Sequence, residues 1–144
     1  MRGSRVGKIG EDLAFDYLEK QGVRILARNY SVYGGEIDLV GFCRGVLLFV
    51  EVKTRTGTQW GTGAEAMDEE KIRHVERAAK AFSRAHEEKG KIPVLYWPGI
   101  WVSRRIRHRR VDGIEIYLYP DGTPKSINRI EDIGYEIRQH PRTE

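Results

Sequence analysis

Apolar and polar positions recur along this chain with two periods, near 3.6 and near 2, and the places where the period changes mark its elements. Residues 4–21 carry Val6, Ile9, Leu13, Ala14, Tyr17 and Leu18 on one arc, with Lys8, Asp12, Asp16 and Glu19 opposite, the pattern of an amphipathic helix capped by Ser4. Gly22 follows where a left-handed residue commonly ends a helix. Residues 23–28 read as a first strand, and residues 29–35, with Tyr33-Gly34-Gly35, as a flexible connection. Two apolar runs, 37–42 and 46–52, are joined by Cys43-Arg44-Gly45 and predict a β-hairpin. Residues 64–89 return to helical spacing, with Met67, Ile72, Val75, Ala78, Ala79, Phe82 and Ala85 as the apolar stripe. Short strands at 92–96 and 100–102 flank Pro98-Gly99, and residues 111–119 alternate Ile114, Ile116 and Leu118 with Glu115, Tyr117 and Tyr119. After the Pro120-Asp121-Gly122 turn, Ile127, Ile130, Ile133 and Ile137 suit a short closing helix. The order of elements predicts an α/β domain with a mixed central sheet.

The hairpin concentrates the chemistry. With a loop at 42–45, Gly41 faces Val46 and Glu36 faces Glu51, with Asp38 diagonal to Glu51. Alternation then brings Glu36, Asp38, Glu51 and Lys53 to one face, the diagonal carboxylates roughly 7–8 Å apart at their backbones, room for a divalent cation. Leu47 and Phe49 share the face of Glu51, while Leu48, Val50 and Val52 line the other, so this strand is expected to be central and buried on both sides. Buried carboxylates cost several kcal/mol unless paired, protonated or given a metal. One lysine does not neutralise three of them. A metal site is therefore preferred over a solvated face of cross-strand ion pairs, although both fit the pattern.

Composition narrows the setting. A chain of 144 residues is expected to form one domain, residues 1–138, with 139–144 as a frayed tail. Charged residues make up 32%, mean hydropathy is −0.55, and no apolar run approaches the ~20 residues that span a bilayer. With no signal-peptide pattern and a lone Cys43, a cytoplasmic protein without membrane association is expected. A net charge of +4 suits a polyanionic partner, but its distribution matters more. Arg104, Arg105, Arg107, Arg109 and Arg110, with His108, form the densest positive run, either a phosphate contact or a mobile basic loop. In the polar loop after Lys53, Arg55 and Gln59 are candidate phosphate contacts, with a plain surface loop as the other reading. Cations on the second helix are largely offset by its acids. Trp97 and Trp101 fit base stacking, core packing or a dimer contact. Zinc-ligand spacing, a nucleophile elbow and a dinucleotide fingerprint are all missing from the sequence.

Asp38 followed by Glu51-Val52-Lys53 resembles the D…ExK core of the PD-(D/E)XK nuclease superfamily. The larger set, Gly10-Glu11, Asn29-Tyr30, Gly35-Glu36-Ile37-Asp38-Leu39-Val40 and Phe49-Val50-Glu51-Val52-Lys53-Thr54-Arg55, resembles the YraN family of small, mostly uncharacterised proteins, similar in fold to archaeal Holliday-junction resolvases. Arg110-Val111-Asp112 and residues 127–137 extend the resemblance over most of the chain. It implies a restriction-endonuclease-like mixed central sheet flanked by helices on both faces. It also implies that Asp38 and Glu51, with the Val52 carbonyl, hold Mg²⁺ or Mn²⁺, and that Lys53 orients the attacking water. Glu11 would join directly or through water, although its place in the first turns of a helix explains it equally well by the helix dipole. Glu36 would sit in the outer shell, and Lys71 matches a basic position of the family's second helix. The implied reaction is phosphodiester hydrolysis in branched or duplex DNA, with a homodimer by analogy. A non-catalytic nucleic-acid-binding module, an assembly factor or a structural partner of other proteins would keep the fold without turnover. Presence of all three of Asp38, Glu51 and Lys53 favours the enzyme.

Overall fold

The computed structural model describes residues 5–57 and 69–134. In chain order the elements are α1 (Arg5–Lys20), β1 (Arg24–Val32), β2 (Gly35–Cys43), β3 (Val46–Thr56), α2 (Glu69–His86), β4 (Lys91–Trp97), β5 (Ile100–Arg105), β6 (His108–Leu118) and β7 (Pro124–Ile130). A five-stranded sheet runs β1-β2-β3-β6-β7, antiparallel except for β3 and β6, which pair in parallel. β4 and β5 form a separate two-stranded hairpin. This is the expected α/β class, a mixed central sheet flanked by helices, compatible with a restriction-endonuclease-like fold.

Alternation along β3 builds the two cores. Leu47 and Phe49 lie on one face with Val75, Ala78, Ala79 and Phe82 of α2, while Leu48 and Val50 lie on the other with Ala14 and Leu18 of α1. Both cores depend on β3, and its place in the middle of the sheet follows from having two apolar faces. α1 reaches the sheet closely at Gly10, where an added Cβ would stand 1.8 Å from Thr54 Oγ1. No helix among the described residues is long and apolar enough to cross a membrane.

Three expectations need correction. β1 does not stop at 28 but runs to Val32, because the connection read as flexible is strand up to a tight turn at Tyr33-Gly34. The central hairpin is two residues tighter than expected: Cys43 pairs Val46, leaving only Arg44 and Gly45 in the loop, at φ 50° and 85°. Two left-handed residues are what a type I′ turn demands, and an arginine there gives no sequence signal for it. Ile127 and Ile130 form part of a strand rather than a helix, since Pro124–Ile130 pairs antiparallel with β6 and sets Ile127 level with Ile116, and Ile133 follows the strand. Residues beyond 134, including Ile137 and the expected tail, lie outside the described residues, as do Ser4 and residues 64–68 of the expected second helix.

The turn after β7 is tied down by a buried carboxylate. Asp112, fully buried on β6, accepts from Arg110 Nε at 2.9 Å, Arg129 Nη2 at 2.9 Å and the Asp132 backbone N–H at 2.9 Å. Two guanidinia and a backbone donor satisfy this anion internally.

Replacing Gly10 by alanine sets two effects against each other. The substitution gains about 1 kcal/mol of helix propensity, yet Thr54 is β-branched and stiff, and overpacking of this kind costs about 1–3 kcal/mol. Gly10→Ala is expected to lower the denaturant midpoint, and Thr54→Ala in the same chain to recover part of the loss. A more stable Gly10→Ala protein would show that α1 does not press on β3 here.

Candidate functional site

The ladder between β2 and β3 runs from Cys43/Val46 to Leu39/Val50. Beyond that pair, the Val52 N–H donates not to a strand carbonyl but to Asp38 Oδ2, at 2.7 Å. In an antiparallel strand the N–H and C=O of one residue point to the same side, so the Val52 carbonyl emerges beside the same carboxylate. The cause lies one strand away. Asn29 adopts φ 52° and falls across from Asp38, between the pairs Arg28/Leu39 and Tyr30/Ile37. Strict alternation would keep Ile37 and Leu39 on one face, yet Ile37 joins the core under α2 and Leu39 the core under α1. The chain is kinked at Asp38, which turns its side chain toward the edge of β3. Glu36 is therefore not opposite Glu51 as strict pairing with a longer loop predicts; continued one step, the observed register sets Asp38 level with Glu51.

Glu51 follows Leu47 and Phe49 on the α2 face and is 4% exposed. Lys71 of α2 reaches over it, Nζ 3.5 Å from Oε2. α2 comes this close because its backbone lies on Gly35, where an added Cβ would be 2.5 Å from the His74 carbonyl oxygen. The carboxyl is nevertheless pushed up to about 8, by its burial first and then by the negative charge of Asp38; Lys71 pulls it down, and Glu36 adds a smaller upward push. Loss of solvation outweighs the lysine. Lys53, two residues on, shares this face, is half-buried and forms no ion pair among the described residues.

The other candidates divide. Glu11 is half-buried on α1, next to the Gly10 contact with Thr54, and so belongs to the helix on the opposite face; the charges acting on Glu51 are those of Asp38, Lys71 and Glu36. Arg55 lies two residues past Lys53 with Nε and Nη2 buried and without a hydrogen-bond partner among the described residues. Gln59 lies outside the described residues. The dense arginine run is not one patch: Arg109 is paired with Glu87 through both carboxylate oxygens and Arg110 with Asp112. Arg104 donates to Tyr96 Oη at 2.8 Å, while Arg105 and Arg107 are exposed. Sequence reasoning missed Glu115. The parallel register sets it level with Lys53, where it is buried and its Oε2 has no hydrogen-bond partner among the described residues. Its alternation with Ile114 and Ile116 was legible, but which strand would lie beside it was not.

Among the described residues, no three His, Cys, Asp or Glu side chains come together as a metal cage. Two coupled carboxylates and a carbonyl are instead the partial oxygen set that Mg²⁺ or Mn²⁺ uses, the remainder being water and substrate phosphate. The residues present fit such an ion.

A family model described as uncharacterised protein family UPF0102 matches residues 10–116. The chain is 38% identical over 91 residues to a UPF0102 protein of Dictyoglomus thermophilum, covering 63% of this chain and 77% of that one. It is 35% identical over 126 residues to one from Caldanaerobacter subterraneus subsp. tengcongensis, covering 87% and 90%. A third, from Caldicellulosiruptor bescii, is 33% identical over 132 residues, covering 92% and 98%.

Burial of Glu51 sets a pH dependence. Between its ordinary value of 4.5 and about 8 the folded protein holds a proton that the unfolded chain has released, so stability falls as pH rises through that window. With divalent ions chelated, Glu51→Gln is expected to be more stable than wild type at pH 9, by roughly 1–3 kcal/mol, the scale of desolvation that partners do not fully offset, with a smaller difference at pH 5. Parallel profiles from pH 5 to 9 would remove Glu51 as the titrating group.

Proposed function

The chain belongs to the UPF0102 family, the YraN family of the motifs above, and from its site we propose a metal-dependent DNA endonuclease of PD-(D/E)XK type that hydrolyses phosphodiester bonds. The observation that carries this reading is geometric: Asp38, held by the Val52 N–H where β2 and β3 part, stands beside the buried Glu51 and raises the cost of its charge. A fold needing only stability gains nothing from a buried carboxyl whose neighbours resist its ionisation.

Asp38, Glu51 and the Val52 carbonyl would hold Mg²⁺ or Mn²⁺, which supplies Lewis acidity toward the scissile phosphate and toward water. The Val52 N–H fixes one oxygen of Asp38 and so sets the position of that carboxylate beside Val52. Lys53 presents three N–H donors from the same face as Glu51 and would steady the charge that develops on the phosphate. Arg55, whose Nε and Nη2 have no hydrogen-bond partner among the described residues, would grip a flanking phosphate oxygen in the fork geometry that guanidinium favours. Lys71 would hold Glu51 in place from above. The reading asks nothing of Glu11.

Labelled branched, duplex and single-stranded DNA, incubated with Mg²⁺ or Mn²⁺, provide the test. Wild type is expected to cut at least one of them only when the ion is present, and Asp38→Asn and Lys53→Ala each to lower the rate by about 100-fold or more. Cutting that survives both substitutions would come from a contaminant. Binding without cutting under any condition would leave a nucleic-acid-binding module on a nuclease-like fold.

A further inference from the structure

The β4–β5 hairpin presents a surface that the hydrolytic reading does not use. Its inner face anchors it: Ile92 and Val94 are buried in the core under α2. Tyr96 is held beside them, with the guanidinia of Arg24 and Arg104 lying 4.5 Å and 5.9 Å from its ring centroid. Directly opposed residues of an antiparallel pair share a face. The outer face therefore carries Leu95 with Trp101, Pro93 with Ser103 and Lys91 with Arg105, as three cross-strand pairs. Trp101 is 61% exposed, and Trp97 stands 69% exposed near the hairpin tip.

Two features of this face call for an anionic, flat-ringed partner. Lys91 and Arg105 are like charges set directly opposite, an arrangement that destabilises a strand pair, and neither forms an ion pair among the described residues. From Lys91 to Arg105 the hairpin holds three cations and no acid. A second copy docking on the same face would bring cations against cations, whereas a phosphate chain would relieve them. The tryptophan one end of the face offers is a stacking surface that accepts any base.

We propose that the outer face of the β4–β5 hairpin binds unpaired nucleotides, a base stacking on Trp101 while Lys91 and Arg105, roughly 13 Å along the strands, hold phosphates further along the same nucleotide chain. The hairpin joins β3 at its Val46 end, where the Arg107 N–H donates to the Gly45 carbonyl. Glu51 lies five residues further on, roughly 16 Å along the strand, so the platform is separate from the site and needs no metal. It shares with the proposed hydrolysis only the class of ligand.

The experiment is fluorescence anisotropy with labelled 15-mer oligothymidylate in EDTA, where cleavage plays no part and its failure leaves this surface untouched. Wild type is expected to prefer the oligothymidylate to a 15-base-pair duplex. Trp101→Ala, an exposed position, should weaken binding about tenfold, as the loss of one stacked base does, while Trp101→Phe keeps most of the affinity. Arg105→Ala should reduce the slope of log affinity against log salt by about 0.7, the value of one single-strand phosphate contact. Unchanged affinity in Trp101→Ala, or no binding by wild type at low salt, would overturn the proposal. So would sedimentation showing a wild-type dimer that Trp101→Ala dissociates, because the face would then join two copies.

Discussion

One backbone donor shapes the site. Every N–H in the middle of a sheet needs an acceptor, and a central strand has carbonyls on both sides to provide one. At Val52 the acceptor is Asp38 Oδ2. A side chain has taken the place of a strand, which requires β2 to part from β3 and Asp38 to leave the alternation of its own strand. The left-handed Asn29 on β1 makes that possible, since asparagine tolerates positive φ better than most residues. Three strands thus cooperate to place one carboxylate in the opening between β2 and β3, beside Val52, which Glu51 and Lys53 flank along the strand.

Glu51 experiences that opening as burial without enough compensation. Lys71 stands 3.5 Å away, but the lysine is 43% exposed and its charge is shared with solvent, whereas Asp38 acts from inside. Desolvation and a like charge therefore win over one half-solvated cation. Asp112 shows the contrast within the same chain. Fully buried on the neighbouring strand, it receives two guanidinia and a backbone N–H, and no donor is lacking. The fold can satisfy a buried carboxylate where one is needed for structure, and of the two it is Glu51, with Lys71 alone reaching over it, that is the less compensated.

Much of this was legible in the sequence, and the rest failed for identifiable reasons. The two apolar faces of β3 declared a central strand, and the amphipathic arcs of α1 and α2 declared a helix for each side. That Asp38, Glu51 and Lys53 would lie close together on the central hairpin was legible, because their spacing along two paired strands requires it. The route by which Asp38 arrives was not, since it depends on positive φ at Arg44, which an arginine does not announce, and at Asn29, whose type allows it but does not require it. Lys71 was legible as a basic position, but its contact with Glu51 depends on how closely α2 lies on Gly35. The arginine run misled in a different way: its residues alternate along strands and reach separate acids, Glu87 and Asp112, so charge density along the chain did not become charge density in space. For the isoleucines of β7, spacing by three fitted a helix, and only the antiparallel partner decided otherwise.

With Arg109 and Arg110 neutralised internally, two pairs of cations bear on the proposals made above. Lys53 and Arg55 border the carboxylates; Lys91 and Arg105 stand on the hairpin. An acidic opening repels phosphate, so attraction to the chain has to come from cations outside it. On the proposed reading, the proton on Glu51 removes part of that repulsion in the ion-free protein, and a divalent ion takes the proton's place at the site. Ion binding would then release a proton and strengthen as pH rises toward 8. Nucleic acid held by the hairpin would feel none of this, because its contacts are aromatic and cationic and lie near the other end of β3. On the two proposals together, holding the polymer would fall to β4 and β5 and preparing the phosphate to β2 and β3, which belong to different sheets.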